Sequence, residues 1–359
     1  MRSLSLNRLP FRLAIVLAVL AVRPACADEP QPVLADDAVL RTIACGSCIK
    51  QRQPIPTLTA VLEAGPDLVV LMGDNVYADT DDPEQIAECY RTLQARPEFA
   101  RLRAAVPLEA TWDDHDFGRN DAGADYPIRE ASQRVFLDTF VQAPADDARR
   151  RRAGIYRSRI VGPKGQRVQL LLLDTRYHRT GLTLRPLPLE PRALGRPGPY
   201  APTDDAKATV LGDEQWTWLE EQLQQPAEVR LVVSSIQVLA DGQFFEGWML
   251  FPRERARLIS LLQAASGTVV VLSGDRHHAE LCDLPADENG GRILELTSSS
   301  LNEPSRWKNE RSSYRVGSKF HEANFGFLTL DWTARTVQLD IRDDRGTPML
   351  RMEEPMTAE

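Results

Sequence analysis

Nowhere in its 359 residues does this chain carry an apolar run long enough to span a bilayer. The nearest approach, LAIVLAVLAV at 13–22, has ten residues, follows Arg2, Arg8 and Arg12, and precedes the small residues Ala25 to Ala27. That layout predicts a secretory signal over 1–27, cleaved before Asp28, and a mature protein that is soluble and either periplasmic or extracellular. No adjacent arginine pair marks a twin-arginine signal, and Arg23-Pro24-Ala25 is a poor lead-in to a lipid-modified Cys26. Positive charge is short as well: losing the signal's four arginines, with no acid, takes the formal net charge from −8 to −12. Such a chain is ill suited to neutralising a phosphate backbone, so nucleic acid is not expected as a stable partner. There is no Gly-x-Ser-x-Gly elbow, which argues against a serine hydrolase. Internal repeats, charge-run tails and an obvious interdomain linker are likewise missing.

Cysteine is sparse, and Cys45, Cys48, Cys89 and Cys282 are those left beyond the signal. In an oxidising compartment the close pair in CGSC invites a Cys45–Cys48 disulfide.

What the chain has in quantity is short, greasy segments alternating with one-faced helices. DLVVLMGD (67–74), VQLLLLDTR (168–176), VRLVVSS (229–235) and TVVVLSGD (268–275) are too short for ordinary helices and predict buried strands. Between them, 82–95, 212–225 and 253–265 space apolar residues as helices do, with Pro83 in a first turn and Asp213 a candidate cap. The fold class is therefore α/β, with mostly internal strands. FGFLTLDW and TVQLDIRD alternate apolar and polar residues around a short turn, which predicts a C-terminal hairpin with one wet face. Arg179 to Lys207 is too rich in proline for helix or sheet and reads as a long loop. Residues 28–37 read as a linker and 38–359 as one catalytic domain.

Acids and histidines gather where the greasy segments stop. DLVVLMGDNVYADT ends on Asp74 and Tyr77, PLEATWDDHDFGRND on Asp113, Asp114, His115 and Asp116, LLLLDTRYH on Asp174 and Arg176, and VVVLSGDRHHAE on Asp275, His277 and His278. Ligands of open α/β sheets bind beyond the carboxyl ends of the strands, so these residues are expected to converge. Carboxylates crowded together raise one another's pKa, and a bound cation reverses that cost. Acid, imidazole, phenol and thiol in one cluster point to a transition metal, with a harder, oxygen-preferring ion such as Ca²⁺ beside it. Tyr77, three residues after Asp74, points to ferric iron, which is acidic enough to hold a phenolate.

With GDNVYAD, WDDHDFGRND, LDTR and SGDRHHAE in this order, the chain resembles the alkaline phosphatase D (PhoD-like) family of metallophosphatases. GDNVYAD is also similar to the iron-tyrosinate segment of the more distant purple acid phosphatases. The resemblance implies a two-sheet β sandwich flanked by helices, and a site holding Fe³⁺ with one or more Ca²⁺. By the same resemblance Cys48, Asp74, Tyr77 and His277 would ligate iron, and Asp74 would bridge to a second cation held also by Asp114 and Asp275. Asp114 stands where the wider superfamily has Asn, and Asp275 where it has His, which makes the second position harder and favours Ca²⁺. The superfamily's middle histidine has no counterpart in VVSSIQVLADG, and the larger members' leading β domain has no room before Ile43.

The expected activity is hydrolysis of phosphate monoesters, diesters or both, phospholipid and cell-wall diesters included, by a metal-generated hydroxide attacking phosphorus in line. His115 is expected to stabilise the transition-state oxygens or protonate the departing alkoxide. Arg176 would either contact a phosphate oxygen through its planar fork or pair with Asp174 to hold the loop. The alternative is a non-catalytic, Ca²⁺-dependent binding module, with Trp216, Trp218 and Trp248 stacking on sugars.

Overall fold

Strands that are apolar without alternation need cover on both faces, and here they have it. The computed structural model describes residues 31–185, 198–242, 245–288, 290–305 and 312–357, so the predicted signal lies outside it. In the N-terminal half, β1 (Thr42–Gly46), β2 (Leu68–Met72) and β3 (Leu108–Thr111) run parallel, linked by α1 (Pro56–Ala64), α2 (Pro83–Gln94) and α3 (Pro97–Ala105). Two short helices follow, α4 (Asp114–Phe117) and α5 (Arg129–Val135), then β4 (Arg157–Val161) and β5 (Val168–Leu172). The proline-rich stretch contributes two short strands, β6 (Thr183–Leu184) and β7 (Tyr200–Ala201), which pair with each other, while 186–197 lies outside the described residues. Next come α6 (Gly212–Leu223), β8 (Val229–Ser234), α7 (Pro252–Gln263) and β9 (Thr268–Ser273). The chain continues with β10 (Ala279–Leu284), β11 (Ile293–Ser298), β12 (Arg315–Phe320), β13 (Asn324–Asp331), β14 (Thr336–Asp343) and β15 (Pro348–Pro355).

One sheet has the order β15-β14-β13-β1-β2-β3 and the other β12-β10-β11-β9-β8-β5-β4. Their inner faces share a core: Ile43 and Cys45 of β1, Leu68, Val70 and Met72 of β2, and Val229, Leu231 and Val233 of β8 all point into it. Residues of opposite parity, such as Ala44, Val69 and Leu71, face the α1–α3 layer, and Val232, Val269 and Val271 face α6 and α7. The result is the four-layer sandwich, helices outside and two sheets within, expected from the resemblance.

Cys45 and Cys48 are both free thiols. Strand parity sends Cys45 into the inter-sheet core against Gly326, whereas Cys48 lies past the strand with φ 62° and turns the other way. Asp213 sits inside the first turn of α6, and the hydroxyl of Thr209 accepts from the Gly212 N–H instead. The C-terminal hairpin is extended by β15 and completes the first sheet by pairing β13 with β1. Trp216 and Trp248 are buried in the α6–α7 layer, where they cannot stack on a sugar. Of residues 28–37, the described part packs on the domain: Leu34 enters the inter-sheet core and Asp36 pairs with Arg159. No helix among the described residues is long and apolar enough to cross a membrane.

Candidate metal centre

Every parallel strand hands a polar side chain to the same rim. Cys48 follows β1, Asp74 follows β2, Asp113 and Asp114 follow β3, Asp174 and Arg176 follow β5, Ser235 follows β8, Asp275 and His277 follow β9, and Ser299 follows β11. The turns that aim them are strained: Cys48, Asp74, Asp275 and His277 have φ of 62°, 49°, 67° and 55°, a left-handed region that non-glycine residues avoid. Close approach fixes Gly73, with φ 99°, because a Cβ there would lie 2.5 Å from the Asp113 Cβ. Asn75 ties two of these ends together, its Nδ2 donating to Thr111 O at 2.8 Å and to Asp116 Oδ2 at 2.5 Å.

Two overlapping clusters result. In the first, ligand atoms of Cys48, Asp74 and His277 lie within 4.8 Å of one another. Tyr77 joins them, its hydroxyl donating to Asp74 Oδ2 at 3.2 Å and lying 2.9 Å from His277 Nε2. Ser299 Oγ steadies the group, accepting from the His277 N–H at 2.7 Å and lying 3.2 Å from Cys48 Sγ. In the second, Asp74, Asp113, Asp114 and Asp275 bring carboxylate oxygens within 4.8 Å. All six residues expected as ligands, Cys48, Asp74, Tyr77, Asp114, Asp275 and His277, are thus brought together.

The electrostatics of this arrangement fit cations. Asp74 Oδ1, Asp113 Oδ2, Asp114 Oδ1 and Asp275 Oδ2 are buried without a hydrogen-bond partner, a costly state that positive charge would relieve. Burial, then the nearby Cys48 and Asp114, pushes the Asp74 pKa well up, and burial raises that of Asp275 to about 7. Burial lowers His277 to about 4, helped by the cations Arg276, His115 and Lys50, so its imidazole is neutral and keeps a lone pair. Burial also lifts the Cys48 thiol to about 11, so a bound cation would have to displace its proton.

A third acidic group, Asp114, Asp121 and Glu246, differs in kind. Arg176 Nη1 lies 2.6 Å from Glu246 Oε2 and Arg179 Nε 2.8 Å from Glu246 Oε1, so protein cations already pair with Glu246, while burial, then Glu246 and Asp114, raises the Asp121 pKa to about 7. Arg176 is wholly buried, with Nε donating to Asp113 Oδ1 at 2.5 Å and only its backbone N–H donating to the Asp174 carboxylate, at 2.9 Å. Its guanidinium therefore faces Asp113 and Glu246, neither of the two partners weighed from the sequence. In VVSSIQVLADG, Ser235 donates to Asp113 Oδ1 at 2.5 Å, on the same carboxylate.

His115 forms a further group with Asp74 and Asp114, a ring nitrogen lying within 4.8 Å of their carboxylate oxygens, and its Nδ1 is 2.7 Å from Asp79 Oδ1. Burial alone would lower its pKa, but Asp114, Asp74 and Asp79 outweigh burial and raise it to about 10. Sequence reasoning missed Asp79, although it closes the quoted GDNVYAD, and missed Glu246, which no local pattern marks. His115, Asp275 and His277 line a cleft of about 390 Å³, with Tyr200 and Phe245 also on its wall. Tyr200, from the described end of the proline-rich stretch, donates its hydroxyl to Asp121.

A thiol, a phenol, an imidazole and strand-end carboxylates meet at one rim, and the sequence profile of the PhoD-like phosphatases matches residues 43–345. The chain belongs to the PhoD-like phosphatase family. Among solved structures this PhoD-like chain is similar to PhoD, with TM-score 0.65 and 17% identity over 90% of this chain and 70% of that one. It is also similar to a purple acid phosphatase from yellow lupin (Lupinus luteus), with TM-score 0.56 and 15% identity over 90% of this chain and 55% of that one. A dimetal phosphatase from Danio rerio aligns with TM-score 0.55 and 12% identity over 88% of this chain and 99% of that one. At these identities the likeness shows the fold. No curated protein matches the chain significantly. Family and donor set together make this PhoD-like chain a metal-dependent phosphoesterase.

Proposed function

We propose that the chain is an exported alkaline phosphatase or phosphodiesterase, with Fe³⁺ held by Cys48, Asp74, Tyr77 and His277 and Ca²⁺ held by Asp74, Asp114 and Asp275. The observation that carries this reading is the set of buried carboxylate oxygens on Asp74, Asp114 and Asp275 that no hydrogen bond satisfies, beside a thiol, a phenol and a neutral imidazole. Mixed soft and hard donors on one side, and carboxylates alone on the other, favour those two cations in that order.

Bound there, the cations would supply Lewis acidity and an activated water for in-line attack on phosphorus. The side chains do the rest. With Nδ1 committed to Asp79, His115 has Nε2 left to hold a proton for the departing alkoxide or a transition-state oxygen. Arg176 acts through Asp113, fixing the edge of the second cation position rather than reaching phosphate. The cleft, about 390 Å³, has room for an ester group beyond the phosphate, so diesters, phospholipid or cell-wall diesters among them, enter as well as monoesters. Export rests on the signal read over 1–27, and a mature N-terminus at Asp28 is its expected mark.

The test uses protein purified without added metal. Elemental analysis should find iron and calcium, and hydrolysis of p-nitrophenyl phosphate and bis-p-nitrophenyl phosphate should vanish on chelation and return with Fe³⁺ plus Ca²⁺. The ratio of the two rates assigns the ester preference. His115→Ala should lower the rate roughly 10²–10⁴-fold, the range for a lost general acid. Full activity in demonstrably metal-free protein would sink the proposal.

A further inference from the structure

The loop that follows Cys48 grips Tyr77 from two sides. Gln51 closes a pair of hydrogen bonds with its backbone, Nε2 donating to Tyr77 O at 3.1 Å and Oε1 accepting from the Tyr77 N–H at 3.0 Å. Lys50 meets the side chain instead: its Nζ stands 3.4 Å from the centroid of the Tyr77 ring. That placement is built, because the Lys50 N–H donates to Asn302 Oδ1 at 2.7 Å and the Lys50 carbonyl accepts from Asn302 Nδ2 at 3.1 Å. The His115 ring packs on the same phenol at 4.2 Å between centroids.

A cation over an aromatic face is attracted by the ring's electron density, and an ammonium acts there as a compact point charge. A phenol that becomes an anionic ligand is richer in electrons than a neutral one. The ammonium therefore favours the ligated form over the free form, and only such a difference can shift a binding equilibrium.

We infer that Lys50 is a positioning residue for Tyr77, holding positive charge against the ring so that the phenolate is stabilised when it binds a ferric ion. The inference rests on the proposed role of Tyr77 as a ligand. Two consequences follow for iron-loaded protein. Stabilising the phenolate lowers the energy of the electron donor, so the phenolate-to-iron absorption lies at shorter wavelength than it would without Lys50. Iron also dissociates more slowly.

The experiment compares the visible spectrum, iron content per chain and rate of iron loss to a chelator in the native protein, Lys50→Met, Lys50→Arg and Tyr77→Phe. Lys50→Met should move the band to longer wavelength at equal iron content and lose iron several-fold faster. Lys50→Arg, which keeps the charge, should restore most of both. Should Lys50→Met fail to fold, Lys50→Gln provides the same comparison. An unmoved band and an unchanged rate of iron loss in the neutral variant would overturn the role of Lys50 while leaving that of Tyr77 intact. A native protein that binds iron but shows no band lost in Tyr77→Phe would overturn the ligand reading itself, and this inference with it.

Discussion

Asp74 concentrates the physics of the site in one side chain. It is fully buried, it turns through a left-handed φ of 49°, and it belongs both to the Cys48–His277 cluster and to the carboxylate cluster. Asp74→Asn should abolish binding of both cations, read as metal content, yet raise the stability of the chelated protein by about 1 kcal/mol by removing an acid whose ionisation burial and its neighbours oppose. Thermal unfolding with and without chelator reads both effects, and a chelated variant less stable than the parent would refute the electrostatic argument. Residues of this sort were legible in the sequence because an acid ending a greasy run violates the pattern around it. Arg176 was visible in LDTR, but its partners were not, because Asp113 and Glu246 reach it from other strands and loops. Cys45 and Cys48 differ only in strand parity and in one positive φ, and local spacing reports neither.

Elements were easier to read than their ends. The strands over 68–72, 168–172, 229–234 and 268–273 fall inside the predicted segments, because unbroken Val, Leu and Ile suit only a strand covered on both faces. The edge strand β15 carries charges and a proline at each end and met no such rule. Where elements meet, glycine decides. At Gly73 a Cβ would come within 2.8 Å of the Asp113 backbone N and the Trp112 carbonyl carbon, atoms that cannot swing aside. Gly73→Ala should therefore cost about 1–3 kcal/mol and part the ends of β2 and β3, so that metal affinity falls together with the melting temperature. Full metal content in a folded Gly73→Ala protein would show that this approach does not set the spacing of the ligands.

For the molecule as a whole, cations and pH are linked. In chelated protein, burial holds Asp275 at about 7 and Asp74 well above its ordinary value, so folding takes up protons. An acid raised on folding gives its full stability below its unfolded pKa, roughly 4, and loses it as pH rises through the folded value. The chelated protein should then weaken from about pH 5 to pH 8, while the loaded protein, its carboxylates anionic and paired, should not. The gap in melting temperature between the two forms should widen over that interval, and a constant gap would contradict the argument. Glu280 works in the opposite sense: burial opposes its ionisation, but His278 and Arg315 hold its pKa well down, so its contribution is lost only in acid. By itself the sequence determined the α/β class and the residue types of a metal site, because apolar periodicity and misplaced acids are local facts. Tertiary structure alone decided which carboxylates crowd together and which of them Arg176 and Arg179 reach. That distinction depends on distances between seven strand ends drawn from two sheets, and spacing along one chain does not carry them.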